Sequence, residues 1–301
     1  MNSTLIRLAG ALALIVAQPA LAWGSFGHRV TARIAWAELT PAARAQVRLL
    51  LAAAPKLDTP TCPLADFGDV SVWADCVRGL DDPRFAASAP WHYQDISVCG
   101  AFDINAACPD GNCVSAQIPR QQQILADRSR PAAERLAALA YLVHFTGDLH
   151  QPLHIGDKGD AGGNGVRAAF GFKATERMNL HRIWDTEMTE GALTAPPAVG
   201  PAQITPAQRK RWTAGPADTA ARVAGWAQES WLVSKTVTYA GLDAPDMCAM
   251  APAARPRSIR AVISPAYIAR ATPFVREQVA RAGTRIALLV NAALAPGARP
   301  R

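Results

Sequence analysis

The stretch from Pro131 to Leu149 reads as a helix that cannot stay at the surface. Pro131 sits at a first-turn position, Glu134 follows it, and a long apolar stripe then runs on until Pro152 ends the pattern. Inside the most apolar part, Leu139-Ala-Tyr-Leu-Val-His-Phe145, stands His144, and Asp148 follows four residues later. Residues four apart share a helix face. A charged pair buried without a partner is expensive. Coordination of a metal ion would resolve that cost, because imidazole and carboxylate are both good zinc ligands.

Other segments carry the same helical period. Trp23 to Leu39 does so up to Thr40-Pro41, and Pro216 to Tyr239 and Ser264 to Leu294 are long amphipathic runs. Gly162 to Lys173 has the look of a short hairpin, with Gly-Gly-Asn-Gly before an apolar stretch. Cys99 to Cys113 is rich in Gly, Asn, Asp and Pro and reads as a stapled loop. The class is mainly α. With no repeat, low-complexity block or linker in view, a single domain is expected over 23–301, with its core at about 23–294.

The start of the chain predicts export. Arg7 precedes an apolar run from Leu8 to Ala17, Gln18-Pro19 breaks it, and Ala20-Leu-Ala22 offers a small-x-small cleavage site. The run falls short of the roughly 20 apolar residues that span a bilayer. Residues 1–22 therefore read as a signal peptide cut between Ala22 and Trp23, giving a periplasmic or secreted protein with no membrane segment in its mature form. Six Cys lie beyond the cut, at 62, 76, 99, 108, 113 and 248. An even count in an exported chain predicts three disulfides, and spacing alone leaves every pairing open. No C-x-x-C pair is present, which disfavours a Cys-rich zinc site. The formal charge of +7, carried by Arg far more than Lys, suits an anionic substrate.

The chain has six His, at 28, 92, 144, 150, 154 and 181. His181 and Asp185 repeat the four-residue spacing of His144 and Asp148, and His154 lies just past the helix-ending Pro152. One such pair alone is a weak signal, since a capped or salt-bridged surface His has the same spacing. Two pairs and a third His together point to a metal centre.

These residues lie within longer motifs. Val143-His-Phe-Thr-Gly-Asp-Leu-His-Gln-Pro-Leu-His154, Gly162-Gly-Asn164 and Asn179-Leu-His-Arg-Ile-Trp-Asp-Thr186 closely resemble the single-strand-specific zinc nucleases of the fungal P-one and S-one type. Trp23-Gly-Ser-Phe-Gly-His28, Val72-Trp-Ala-Asp-Cys-Val-Arg78 and Trp91-His-Tyr-Gln-Asp95 match further motifs of that family in the same order. The resemblance covers nearly the whole mature chain. No Asn-x-Ser/Thr sequon follows residue 22, unlike the glycan-bearing fungal pattern, which favours a bacterial member.

The resemblance implies a helical fold of the phospholipase C and zinc nuclease kind, and three Zn2+ ions. Asp75, His92, His144 and Asp148 would hold the first. His154, His181 and Asp185 would hold the second. Trp23, through its amino group and carbonyl, would hold the third with His28 and Asp148, so that Asp148 bridges. His150 matches no ligand motif and reads as a polar residue near a helix end. Arg78 would clamp charge developing at phosphorus, and Asp95 would orient Arg78 or contact the base. Tyr93 would stack on a base, with Gly163 and Asn164 beside it. The resemblance also implies the pairs Cys108–Cys113 and Cys99–Cys248, which leaves Cys62–Cys76. The implied reaction is attack of metal-bound hydroxide on phosphorus in single-stranded DNA and RNA, leaving 5′-phosphates, together with 3′-nucleotidase activity in a monomer.

Two other readings fit part of this pattern. Zinc-dependent phospholipase C shares the fold and an N-terminal Trp ligand, but Asp185 (a Glu there), the long spacing from His154 to His181, and Arg78, Tyr93 and Asp95 favour the nuclease. An exported zinc-binding protein without catalysis would need the ligands but not Arg78 or Asp95.

Overall fold

The structure is a computed structural model and describes residues 23–251, 254–256 and 258–295. The expected signal peptide, residues 1–22, lies outside the described residues, as does the tail from 296 to 301. The chain is mainly helical. Its helices are α1 Gly24–Glu38, α2 Pro41–Leu51, α3 Phe67–Val70, α4 Trp73–Arg78, α5 Pro83–Ala86, α6 Val114–Ala126, α7 Ala132–Leu149, α8 Leu180–Asp185, α9 Glu187–Thr194, α10 Pro206–Thr213, α11 Thr219–Val233 and α12 Pro265–Leu294. The strands among the described residues are short: β1 Ile96–Ser97, β2 Gly156–Asp157, β3 Val166–Ala169 and β4 Ile259–Val262.

The apolar stripe of the sequence is the centre of the molecule. Every residue of α7 from Ala138 to Leu149 is buried. A helix apolar on all sides has to be surrounded, and α7 packs against α6, α12, α4, α2 and α1. The path of α1 is set by its neighbours: Thr40 ends it, and the Thr40 side chain then accepts the Ala43 amide to start α2. The Thr40 amide also donates to Asn291 of α12. Among the described residues no helix is long and apolar enough to cross a membrane.

The strands depart from expectation. The stretch Gly162–Lys173 holds only a two-residue turn, Gly171-Phe172, closed by reciprocal Phe170 and Lys173 backbone bonds. The apolar residues before that turn are not one arm of a long hairpin. They form β3, which pairs in parallel with the distant β4, Val166 opposite Ile259 and Ala169 opposite Val262. The hairpin turn chemistry was readable locally, whereas the partner strand is not adjacent in sequence. β1 and β2 also pair in parallel, Ile96 opposite Gly156, and bring the segment after His92 against the segment after His154.

All six Cys are bonded, as Cys62–Cys76, Cys99–Cys248 and Cys108–Cys113. The first fastens α4 to the loop before it, next to Asp75.

Candidate metal centre

The long helix α7 supplies His144 and Asp148 on one face, and three further elements close over them. α1 brings His28, whose Nε2 lies 3.2 Å from Asp148 Oδ1 and whose ring stacks on His144 at 4.1 Å. Gly147 makes room for that ring, since a Cβ there would meet His28 Nδ1 at 2.8 Å. α4 brings Asp75, with Oδ1 3.5 Å from His144 Nε2. The turn at His92 places its Nδ1 3.1 Å from His144 Nε2 and 3.0 Å from Asp148 Oδ2. A second group forms beside it: His154 Nε2 is 3.1 Å from His181 Nε2, which is 3.3 Å from Asp185 Oδ2. His181 and Asp185 come from one face of α8.

These spacings fit cations. Zinc bound to nitrogen and oxygen at 2.0–2.2 Å in a tetrahedron separates its ligand atoms by about 3.4 Å. In the first group the remaining contacts, His92 to Asp75 at 3.6 Å and His144 to Asp148 at 3.3 Å, fall close to that edge. Three sets of ligand atoms converge: His28, His144 and Asp148; Asp75, His92 and His144; His154, His181 and Asp185. Buried atoms there lack hydrogen-bond partners: His28 Nε2, Asp148 Oδ1 and Asp185 Oδ2. Unpaired buried polar atoms are rare and costly, and a cation held in each group would satisfy them.

The backbone fixes the imidazole tautomers. His144 Nδ1 donates to the Ser71 carbonyl at 2.7 Å, His154 Nδ1 to that of His92 at 2.7 Å, and His181 Nδ1 to that of Gly162 at 2.6 Å. Each Nε2 thereby points into its cluster, as a lone pair on His154 and His181 and as the site whose proton a cation would displace on His144. Two lone pairs facing each other at the distance between His154 and His181 repel unless a cation lies between them. Gln151 steadies the other ligand, its Nε2 donating to Asp185 Oδ1 at 2.6 Å. The carbonyl contacts are silent in the sequence because a backbone acceptor carries no residue signature. Gly162 was the one available clue: its φ of +59° and the 2.4 Å clash a Cβ would have with the Leu153 carbonyl demand glycine.

Electrostatics separates the two groups. Burial opposes charge on Asp75, Asp148 and His144 alike, yet His144 holds both carboxyls below their ordinary range and is itself pushed up to about 10 by them. Burial lowers His92 to about 4, His154 to about 3 and His181 to about 4. Burial also raises Asp185 well above a normal carboxyl.

Trp23 is fully buried at the start of α1, and its indole Nε1 donates to the Gly147 carbonyl at 2.8 Å. Arg78 reaches Asp75 Oδ1 at 2.8 Å. Tyr93 follows His92 and is 41% exposed, so its ring is open to a ligand. Asp95 is largely buried, and burial together with Asp157 and Asp160 raises it to about 7. Gly163 is buried in the loop before His181, and Asn164, exposed at its end, bonds Asn179. His150 stands apart from the clusters, donating from Nδ1 to the Thr146 carbonyl and accepting from Arg285 at 2.8 Å.

A helical scaffold that buries three convergent sets of imidazole and carboxylate is one suited to holding metal ions. The profile of the S1/P1 Nuclease family matches residues 23–295, and the chain belongs to that family. It is similar to Nuclease S1 of Aspergillus oryzae, 34% identical over 60% of each chain. It is 31% identical to Endonuclease 2 of Arabidopsis thaliana, over 56% of this chain and 57% of that one. With Nuclease P1 of Penicillium citrinum it shares 29% identity over 56% of this chain and 58% of the other. The chain thus spans rather less than two thirds of the length of these curated relatives.

Proposed function

We propose that this chain is a zinc-dependent endonuclease that hydrolyses single-stranded DNA and RNA to 5′-phosphate products and removes phosphate from 3′-nucleotides. Asp148 carries the reading. Its Oδ2 faces His92 and His144 at 3.0 and 3.3 Å, while its Oδ1 faces His28 at 3.2 Å. One carboxylate thus serves two neighbouring clusters, the arrangement a multinuclear phosphoesterase needs. Asp75, His92, His144 and Asp148 would hold a first Zn2+, His154, His181 and Asp185 a second, and Trp23, His28 and Asp148 a third. Bound there, the ions would supply positive charge to the phosphate and lower the pKa of water.

The side chains around the centre then divide the remaining work. Arg78, anchored by Asp75, presents a guanidinium fork to phosphate oxygens and meets charge as it develops at phosphorus. Tyr93 offers an open ring on which a base can stack, worth about 1–3 kcal/mol per base. A duplex hides its base faces, which accounts for a preference for single strands. Asp95, with Gly163 and Asn164, would hold the base edge. The three disulfides suit an oxidising compartment, in line with export after cleavage at Ala22-Trp23 to the periplasm or beyond, as a monomer of one domain.

The test uses protein beginning at Trp23. Metal analysis is expected to give three zinc equivalents. Assays of single-stranded DNA, RNA, duplex DNA, 3′-nucleotides and phosphatidylcholine are expected to show turnover of the single strands and 3′-nucleotides. Cleavage of the lipid alone would sink the nuclease reading in favour of a phospholipase. Zinc binding with no phosphoesterase activity would instead support a binding protein.

A further inference from the structure

β3 leaves the Gly162-Gly163-Asn164 loop at the edge of the metal centre. On one side its Arg167 bridges to Asn179, the residue that caps α8 and so precedes His181 and Asp185. On the other side it pairs with β4, and the register sets Arg167 opposite Arg260. Both arginines are exposed, on the same face as Ala169 and Val262. Neighbouring strands lie about 4.8 Å apart, so two guanidinium stems rise side by side. Among the described residues neither arginine has an ion-pair partner, and the exposed Glu176, which lines the same groove, pairs with neither. Like charges directly opposite one another weaken a sheet. The pair therefore costs stability in the free protein, and an anion laid across it would reverse the sign of that interaction.

We propose that Arg167 and Arg260 form a phosphate-binding ridge for the single strand beyond the scissile bond. The inference rests on the nuclease reading and extends it. The ridge begins one strand spacing from Asn179 and ends about 10 Å away, two spacings on. A guanidinium fork fits phosphate oxygens with two parallel bonds and reads no base. The ridge would hold the backbone of a long substrate whatever its sequence, and a substrate too short to reach it would gain nothing.

The test compares wild type with Arg167→Thr, Arg260→Thr and the double variant, since Thr is at home in a strand. Anisotropy of a labelled oligonucleotide of about 20 residues protected by phosphorothioates, at salt from about 50 to 200 mM, reads binding without cleavage. Turnover is read in parallel on the unprotected oligonucleotide, a dinucleotide and a 3′-nucleotide. For the double variant the salt slope is expected to fall by about 1.4, two phosphates at about 0.7 each. KM for the long strand should rise about tenfold while the short substrates are turned over as before, and thermal stability should hold or rise. An unchanged salt slope and KM would overturn the ridge, as would equal losses on long and short substrates. Loss of binding to phosphatidylserine vesicles with oligonucleotide binding retained would overturn it in favour of a lipid surface. Wild-type binding with no turnover on any substrate, lost in the double variant, would support the ridge while defeating the nuclease reading.

Discussion

The two neighbouring ligand groups are built on opposite electrostatic plans. The group around His144 gathers two carboxylates, Asp75 and Asp148, kept ionised by an imidazolium that they in turn stabilise. The group around His154 is close to neutral: burial strips the protons from His154 and His181 and holds one on Asp185. The first is a charged cage in which a divalent cation replaces a proton. The second is a set of lone pairs aimed by backbone carbonyls and held together by geometry. Their supports differ in kind as well. A disulfide ends one residue from Asp75, while a glycine loop fixes His181. Charge thus secures one group and preorganisation the other.

The sharpest way to break that contrast is Asp148→Asn. It removes charge facing two clusters, so zinc content should drop at both and activity by on the order of 10³-fold. Asp185→Asn should cost the metal of one cluster only. Equal metal loss in the two variants would mean that Asp148 does not bridge.

Next in size is the double variant Cys62→Ala with Cys76→Ala. Opening a loop of 14 residues should cost about 3 kcal/mol in urea unfolding. Zinc should be lost from the Asp75 cluster and kept at His154; the opposite pattern would reverse the assignment of supports. Gly162→Ala is the mirror experiment. Its Cβ cannot fit beneath the Leu153 carbonyl, so His181 loses its acceptor and zinc affinity at the second cluster should fall about 10–100-fold, with the first cluster spared.

The smallest effect is that of Asp95, which flanks the same loop. Its carboxyl titrates near 7, raised from 3.8 by burial and by Asp157 and Asp160. A raised carboxyl pKa means that the native state holds the proton longer than the unfolded one, so stability falls as pH climbs from about 4 to about 7 and is flat above. Asp95→Asn should remove that decline and leave the protein a few degrees more heat-stable than wild type at pH 8. If the ionised form accepts a hydrogen bond from the base, the rise of activity through pH 7 should flatten in the same variant.

Much of the centre was legible because its signal is local. His144 with Asp148 and His181 with Asp185 are four-residue pairs, and α7 falls within a residue of where its apolar stripe puts it, whereas α8 is too short to show a period of its own. Thr40-Pro41 was read only as the end of one helix, although the same Thr caps the next. α6 was missed because Pro119 and a run of Gln mask the apolar side formed by Val114, Ile118 and Leu125. The pairing of β3 with β4 left no trace in either segment. The carbonyls of Ser71, His92 and Gly162 that set the tautomers were equally silent, since any residue supplies one.

The Cys62–Cys76 bond also has a consequence in time and place. Until it closes, α4 and Asp75 lack the tie that fixes them beneath His144. In a reducing cytosol that tie stays open, so on the proposed reading the centre is finished only after export. The messenger RNA of the producing cell would then never meet a completed enzyme, and the protein would need no dedicated inhibitor to keep its maker safe.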